Sequence, residues 1–309
     1  MILVLVIVVV VVLMILAALP RGRENARIVG CQENLRQIGV ALALYSQPRG
    51  NLPRVPELGT SSSPDQASPL GAMLEELGLS DFSRLRDPKK ALVRQPGALT
   101  GERPVAGFVC PSDALATPGR FPAPVSYRAS TGDTPSGETG AFAPGKQVLL
   151  TDIEAADGLA YTAAFSERLV GAGDPVSNPR NYALMPGPIG REGCAQATNG
   201  GVSWRGDAGK SWVTPDWVST LYTHAQPPSA AMSCIAQDGH SAMMGVSSGH
   251  ANRIHVLMLD GGVRPYTTHV DGKVWRALAN INDTARKATP SAASPAKGPV
   301  APQGKQDDR

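Results

Sequence analysis

The chain has 309 residues and a formal net charge of +3. This near balance argues against a nucleic-acid-binding protein, whose basic surface is normally obvious. Glycine (33 residues) and proline (27) together make close to a fifth of the chain, and aromatic residues only 5%. Such a composition argues against a helical bundle and favours short strands joined by many turns.

The chain begins with an unbroken apolar run, Ile2–Leu19, followed by Pro20. Eighteen helical residues extend about 27 Å, close to the thickness of the hydrocarbon layer of a membrane. A cleaved signal peptide would need basic residues before the run and a small-x-small site after it. No basic residue precedes the run, and Ala17–Pro20 makes a poor cleavage site. We therefore interpret residues 1–20 as a retained transmembrane anchor, with the lipid bilayer as its partner.

An amphipathic helix is predicted to continue the anchor over residues 21–47. Apolar residues recur there every three or four positions, which places them on one face of a helix. They are Ile28, Cys31, Leu35, Ile38, Leu42 and Tyr45. Residues 48–67 are rich in proline, serine and glycine and predict a loop or linker.

Residues 68–283 are predicted to form one β-rich domain. Ser68 and Pro69 form a good start for a short helix over Leu70–Leu77. Several short runs then have the pattern of strands: Gly107–Cys110, Val125–Thr131, Gln147–Ile153 and Tyr161–Leu169. Residues 171–245 are glycine-rich and predict no definite elements.

The clearest local signal is a β-hairpin near the end of the domain. Residues 254–259 alternate in the manner of a strand, Asp260-Gly261 supplies a tight turn, and Val263–Val270 returns. Asp271 is predicted to cap a last short helix over Gly272–Ala279. Residues 284–309 lack an apolar period and predict a disordered tail.

The four cysteines match neither a CxxC pair nor a zinc-finger spacing. We expect a Cys194–Cys234 disulfide, because both lie in the glycine-rich region, which has few long apolar runs to hold it together. Cys31 and Cys110 are expected to be small buried hydrophobes. Four free thiols remain the alternative if the domain is cytoplasmic.

Two patterns suggest chemistry, and each has a structural alternative. Residues 245–249 match the hydrolase pattern G-x-S-x-G, but a strand rather than the required helix follows them. His250 and Asp260 are candidate metal ligands or an acid–base pair. We favour structural roles, with Asp260 in the hairpin turn and His250 bonded to nearby backbone.

Carboxylates supply a further candidate site. Asp152, Asp157 and Glu167 are candidate ligands for Ca²⁺, although their spacing matches no recognised calcium loop and solvated carboxylates are the commoner outcome. No catalytic residues are predicted, and we expect a protein that is not an enzyme.

Several segments, taken in order, resemble a large bacterial family of prepilin-like proteins of unknown function. The family carries a C-terminal His-x(9)-Asp-Gly motif, which His250, Asp260 and Gly261 match here. The other resembling segments are Cys31–Gly39, Phe108–Asp113, Ser126-Tyr127, Thr151–Ile153, Asp157-Gly158, Glu167 and Gln226–Cys234. The resemblance covers roughly residues 20–280.

The resemblance implies an α+β fold in which a long N-terminal transmembrane and amphipathic helix packs on an antiparallel, β-rich, pilin-like domain. It implies a pseudopilin-like structural or assembly protein of an envelope secretion system, in the style of type II secretion, or of a pilus-like system. Other pilin-like subunits would be its partners. The chain departs from the family pattern because the apolar run holds no glutamate and no Gly-Phe-Thr-Leu-type site. This departure leaves open the alternative of an anchored extracytoplasmic binding protein that does not polymerise.

The predicted location is the inner membrane, with a single pass and with the domain exported to the periplasm or cell envelope. Arg21, Arg23 and Arg27 follow the anchor, and the positive-inside rule alone would keep the domain in the cytoplasm. Pilin-like chains often carry such charges outside, against lipid headgroups, so we expect export.

Overall fold

The computed structural model describes residues 2–59, 67–80, 103–116, 120–190, 193–199, 201–228 and 232–282, and in the first helix the side chains of residues 2–5, 7, 9 and 22–49. The predicted tail, 284–309, lies outside these residues. Among the described residues, no helix combines the length and the apolar character needed to cross a membrane.

A single long helix, α1 (Ile2–Arg49), forms the N-terminal part of the molecule. It runs through Pro20 and ends at Gly50, whose positive φ of 70° lets its N–H bond to the Ser46 carbonyl. Within the predicted stripe, Cys31, Leu35, Ile38 and Leu42 are buried, whereas Val40 on another face is 61% exposed. The 3.6-residue period therefore sets which face of α1 meets the domain.

Nine described strands form two sheets. The strands are β1 (Tyr127–Ser130), β2 (Ala163–Glu167), β3 (Tyr182–Met185), β4 (Ser203–Arg205), β5 (Leu221–Tyr222), β6 (Ser233–Ala236), β7 (Ala242–Met243), β8 (Arg253–Met258) and β9 (Val263–Thr267). The first sheet has the order β5-β1-β2-β8-β9 and the second the order β4-β3-β6-β7.

Both sheets are mixed, which corrects the prediction of an antiparallel domain. The pairs β1/β5 and β3/β6 are parallel, and the remaining pairs are antiparallel. Both parallel pairs join strands far apart in the chain, and a parallel pair requires such a long connection. The second sheet lies within residues 171–245, where the sequence indicated no elements.

Short helical segments account for two of the predicted strands. Residues 107–110 overlap a 3₁₀ turn, Ala106–Phe108, and residues 147–153 overlap helix α3 (Leu150–Ala155). Only Ile153 of α3 is buried, so a single turn of helix satisfies the apolar pattern that also fits a strand. Helix α2 (Pro69–Ala72) begins after Ser68, whose hydroxyl accepts the Gly71 N–H, as the sequence predicted, but it ends at Ala72 and turns follow where the helix was expected to reach Leu77.

The predicted linker 48–67 is partly packed on the domain. Leu52 and Val55 are each 1% exposed. The Leu52 N–H bonds to the Val148 carbonyl, and the Val55 carbonyl accepts the Gly145 N–H. The segment 51–58 therefore contributes Leu52, Val55 and Leu58 to the core and is not a free connection.

The predicted hairpin is present, with β8 and β9 antiparallel and joined through Asp260 and Gly261. Gly261 has φ of 84°, a conformation that glycine adopts without strain. Helix α4 (Gly272–Ala277) follows, capped by the Asp271 carboxylate.

The buried stripe of α1 packs against the first sheet, in one core that also holds Tyr127, Phe165 and Leu257. The backbones approach closely at Gly39. A Cβ atom placed there would lie 2.8 Å from a Leu257 methyl group, so the absence of a side chain allows α1 to contact β8.

Candidate functional site

Polar and sulphur-bearing side chains converge where the middle of α1 meets the domain. We call this group the α1 dock and define it as Glu24, Cys31, Asn34, Cys110, Ser112, Tyr127, Glu167, His250 and His255.

A disulfide between Cys31 and Cys110 forms the covalent part of the α1 dock. The expectation that both cysteines are unpaired hydrophobes is therefore wrong, although both are buried as expected. The stripe of α1 faces the segment after the Ala106–Phe108 turn, and this contact brings the two thiols together. The bond joins residues 79 positions apart in the chain.

His250 lies between two carboxylates. Its Nδ1 is 2.8 Å from Glu24 Oε1 on α1, and its Nε2 is 3.6 Å from Glu167 Oε1 on β2. The same Nε2 is 3.7 Å from Cys110 Sγ. The ring is thus held by side chains, which corrects the expectation that it bonds to nearby backbone.

Glu167 is almost completely buried and is held by His255 as well as His250. Its Oε1 is 3.1 Å from His255 Nδ1, and its Oε2 accepts the His255 N–H at 3.2 Å. Burial alone would raise the pKa of Glu167, but the bonds from His250 and His255 outweigh it and lower the pKa to about 2. The carboxylate is therefore ionised at neutral pH.

The pKa of His250 shifts in the complementary direction. Burial would lower it, but hydrogen bonds to Glu167 and Glu24 prevail and raise it. On the helix side, the hydrogen bond from His250 is the main cause that lowers the pKa of Glu24. A chain of alternating carboxylates and imidazoles thus links α1 to β2 and β8.

Hydroxyl and amide groups complete the attachment of the helix. Ser112 Oγ donates to Glu24 Oε1 at 3.2 Å, and the Tyr127 hydroxyl donates to the Cys31 carbonyl at 3.4 Å. Asn34 Nδ2 donates to the Val109 carbonyl at 3.2 Å. Each of these three hydrogen bonds joins a group on α1 to a group on the domain.

Asp113 fixes the segment that carries Cys110 and Ser112. One carboxylate oxygen accepts the Ser126 hydroxyl and the Val170 N–H, and the other contacts Arg180 at 2.5 Å. The side chain of Asp113 is fully buried, so this residue holds the loop rather than facing a ligand.

The resemblance motif does not form one site. His250 precedes β8 and belongs to the α1 dock, whereas Asp260 and Gly261 follow β8 in the hairpin turn. Asp260 Oδ1 accepts the Gly262 N–H at 2.8 Å, and Oδ2 is 3.4 Å from Arg264. Asp260 therefore has the predicted turn role, and strand β8 separates it from His250.

The structure separates the three candidate calcium ligands. Among the described residues, one group has several potential metal-ligand atoms within 4.8 Å of one another: Cys31, Cys110, Glu167 and His250. Glu167 belongs to it, but Asp152 and Asp157 do not. Asp152 is an exposed residue in the first turn of α3.

The remaining motif residues have structural surroundings. Ser247 Oγ accepts the Leu169 N–H at 3.0 Å, and no helix follows this serine, so a nucleophile elbow is absent from this described segment. Cys194, in the 3₁₀ segment Gly193–Asn199, is joined to Cys234 on β6. This is the pairing that the sequence predicted.

Glu24 and His255 were not among the predicted site residues. Glu24 is the single acidic residue among Arg21, Arg23 and Arg27, and this isolated charge is the signal that could have marked it. His255 lies between the apolar residues Ile254 and Val256 of β8, where a fully buried imidazole needs a partner. For Cys31 and Cys110, the even number of cysteines in a chain expected to be exported was the available indication.

Comparison with known proteins finds a matching family but no matching individual protein. No curated protein and no solved structure matches the chain. The model of one family, described as protein of unknown function (DUF1559), matches residues 20–273, which is most of the chain. The chain therefore belongs to the DUF1559 family.

Proposed function

We propose that this protein is a membrane-anchored, pseudopilin-like structural or assembly protein of an envelope secretion or pilus-like system. In this proposal the first part of α1 lies in the inner membrane and the β-rich domain is outside the cytoplasm. The protein performs no catalysis, and its domain is displayed on a helix to which it is firmly fixed.

The main observation that supports this proposal is that α1 has two parts with different surroundings. Residues 24–49 are docked on the domain through the buried stripe and the α1 dock. In the first part, apolar side chains are 48% to 82% exposed: Ile2, Leu3, Val4, Leu5, Ile7 and Val9. Six exposed apolar side chains within residues 2–9 favour contact with lipid or with other helices. A helix half docked and half extended matches the architecture implied by the prepilin resemblance.

The use of the polar groups supports a structural role. The ionisable side chains of the α1 dock bond mainly to one another across the helix–domain contact. Glu167, His250 and His255 are at most 5% exposed, so they offer little surface to a substrate. Two disulfides within the described residues favour an oxidising compartment and therefore export.

Membrane extraction tests the anchor. The full chain, expressed in a bacterial host, should remain in the membrane pellet after an alkaline carbonate wash. A variant in which a cleaved signal peptide replaces residues 2–19 should be released, and its domain should still fold because it is exported and the residues of the α1 dock are intact. A full chain that appears in the soluble fraction would contradict the anchor.

A reporter fusion tests the side of the membrane. Alkaline phosphatase fused after Gly304 should be active, because this enzyme folds only where disulfides form. Fluorescence from a fusion that folds only in the cytoplasm would instead place the domain inside and refute export.

The alternative function is an anchored extracytoplasmic binding protein that does not polymerise. It is favoured by the apolar run, since no residue of Ile2–Leu19 is acidic and no buried carboxylate is available there to pair with a neighbouring subunit. The double variant Ile7→Cys/Val9→Cys, oxidised in membranes, distinguishes the two functions, because two exposed cysteines on different faces of α1 let one chain be joined to two neighbours. A ladder of cross-linked species supports assembly, and monomers alone support the binding protein.

A further inference from the structure

We propose that, when the Cys31–Cys110 disulfide is reduced, the α1 dock binds one Zn²⁺ ion through Cys31, Cys110, His250 and Glu167. The disulfide and the metal would be alternative means of fastening α1 to the domain. This inference does not depend on the proposed function, because it follows from the geometry of the site in either compartment.

The ligand set has the chemistry that zinc prefers. Two thiolates, one imidazole and one carboxylate would complete a four-coordinate site. All four residues are buried, and their potential ligand atoms lie within 4.8 Å of one another. Buried ligands from four different parts of the chain are brought together by the fold, unlike an acidic patch on the surface.

The distances between the ligand atoms fit a tetrahedral ion. For Zn–S of about 2.3 Å and Zn–N of about 2.05 Å, a tetrahedral angle places sulphur and nitrogen about 3.6 Å apart. Cys110 Sγ and His250 Nε2 are 3.7 Å apart. A nitrogen and a carboxylate oxygen on the same ion lie about 3.4 Å apart, against 3.6 Å for His250 Nε2 and Glu167 Oε1.

The surroundings already orient the ligands. Glu24 Oε1 lies 2.8 Å from His250 Nδ1, which fixes the ring with Nε2 directed at Cys110 and Glu167. A carboxylate on the outer nitrogen is the usual partner of a zinc-binding histidine. Glu167 is held in turn by the ring and the backbone N–H of His255. Metal binding therefore requires the two sulphurs to separate and little other movement.

The disulfide state and the zinc-bound state interconvert by a two-electron exchange. A dithiol reductant attacks the Cys31–Cys110 bond, delivers two electrons and becomes a disulfide itself. The two thiols then lose their protons to solvent as their sulphurs bind Zn²⁺. In the reverse direction, a disulfide oxidant accepts two electrons from the two thiolates and two protons from solvent and becomes a dithiol, the Cys31–Cys110 bond forms, and Zn²⁺ is released.

Cobalt spectroscopy on the full chain in detergent tests this site. Cys194→Ser/Cys234→Ser supplies the background, because it removes the other two sulphurs and keeps the α1 dock. After reduction with a phosphine and removal of the phosphine and metals, one equivalent of Co²⁺ should produce the visible bands of tetrahedral, thiolate-bound cobalt. Zn²⁺ should then displace these bands. The same chain kept oxidised should produce no such bands.

Variants distinguish the site from adventitious binding. Cys31→Ser and His250→Gln in this background should lose the bands. Glu24→Gln should leave the shape of the cobalt bands unchanged but weaken metal binding by about 10- to 100-fold, as expected for a residue that positions a ligand. Zn²⁺ should also raise the melting temperature of the reduced wild-type chain, a measurement that does not require the serine background to fold.

Three results would overturn the proposal. The first is a reduced wild-type chain that shows neither cobalt bands nor a shift in melting temperature. The second is a Cys31→Ser variant that binds Co²⁺ as tightly as the reduced background chain. The third is an oxidised chain that binds Co²⁺ as tightly as the reduced one. Unchanged affinity in Glu24→Gln would remove the positioning role of that carboxylate.

Discussion

Glu167 is the residue on which the α1 dock depends most. It is an ionised carboxylate, 2% exposed, that is hydrogen-bonded to the ring and backbone N–H of His255 and lies 3.6 Å from the ring of His250. A buried charge is tolerated only when its partners are in place, and removing one member of such a set leaves the others unpaired. The charge of Glu167 is therefore a condition for the burial of His250 and His255.

Glu167→Gln should lower the free energy of unfolding by about 3 kcal/mol at neutral pH, because the amide carries no charge and places an NH₂ donor where Oε2 accepts the His255 backbone N–H. Glu33→Gln is the matched control, since Glu33 forms an exposed pair with Arg36 and its loss should change stability by less than about 1 kcal/mol. Urea unfolding of both variants measures the difference. Equal effects in the two would show that the charge of Glu167 adds no stability.

His224 is buried away from the α1 dock and behaves differently. Its Nε2 lies 2.8 Å from the Tyr222 hydroxyl, its Nδ1 lies 2.8 Å from the Trp275 carbonyl, and the two rings of His224 and Trp275 are stacked. Burial lowers the pKa of His224 to about 3. Among the described residues, no carboxylate forms an ion pair with its ring, so the imidazole is neutral when the protein is folded.

This histidine should make the fold sensitive to mild acid. Below about pH 6.5 the unfolded chain binds a proton at His224 that the folded chain does not bind, so stability falls as the pH falls toward 3. The slope reaches about 1.4 kcal/mol for each pH unit. His250, whose pKa is raised, acts in the opposite direction. The informative measurement is therefore the difference between wild type and His224→Gln in urea midpoints at pH 7 and pH 5, where only wild type should show this loss.

At the scale of elements, the main contact is between α1 and the first sheet. Leu35 is completely buried in this contact, while Val40 on the same helix is 61% exposed. The two positions share the same backbone environment and differ in what surrounds the side chain. They therefore separate the effect of docking from the effect of helix propensity.

Leu35→Asp should destabilise the full chain by several kcal/mol, because a carboxylate would enter an apolar contact without a partner. Val40→Asp should cost no more than about 0.5 kcal/mol. Thermal melting in detergent, followed by near-ultraviolet circular dichroism, compares them. If Leu35→Asp melts like the wild type, the stripe does not dock the domain and is available to a partner.

Local patterns predicted the elements whose signals are local. The stripe of α1, the cap at Ser68, the Asp260-Gly261 turn and the cap at Asp271 each arise from residues within a few positions of one another. The strands of the second sheet did not have such a signal. Segments such as β4 and β7 have three residues or fewer, too few to show an alternation, and their pairing is set by distant chain segments.

The same limit explains the candidate site. Glu167 and His250 were recognised through resemblance, but their partner Glu24 lies 226 positions from His250. No periodicity connects residues at that separation, and only the docking of α1 brings them together. Cys31 was placed correctly on the buried face, yet its bond to Cys110 depends on the same tertiary contact. Site residues on one element were accessible from sequence, and the site itself was not.

At the scale of the whole molecule, the two disulfides fasten different regions. Cys31–Cys110 joins the long helix to the domain, and Cys194–Cys234 joins a 3₁₀ segment to the second sheet. In the chain-entropy treatment, closing about 80 residues restricts the unfolded chain by about 4.5 kcal/mol, and closing about 40 residues by about 3.9 kcal/mol. The model of the unfolded state thus assigns them similar stabilising effects, although they restrain different parts of the fold.

Non-reducing peptide mapping of protein isolated from its native cells should therefore find both pairs, Cys31–Cys110 and Cys194–Cys234. The physical reason is the compartment, because such bonds persist outside the cytoplasm and are rare within it. Cys194 and Cys234 both free to alkylation in the folded protein would refute their bond and weaken the case for export. Cys31 and Cys110 unbonded while Cys194–Cys234 is intact would mean that oxidation is selective, and the α1 dock would then be held by its carboxylate–imidazole chain or by a metal ion.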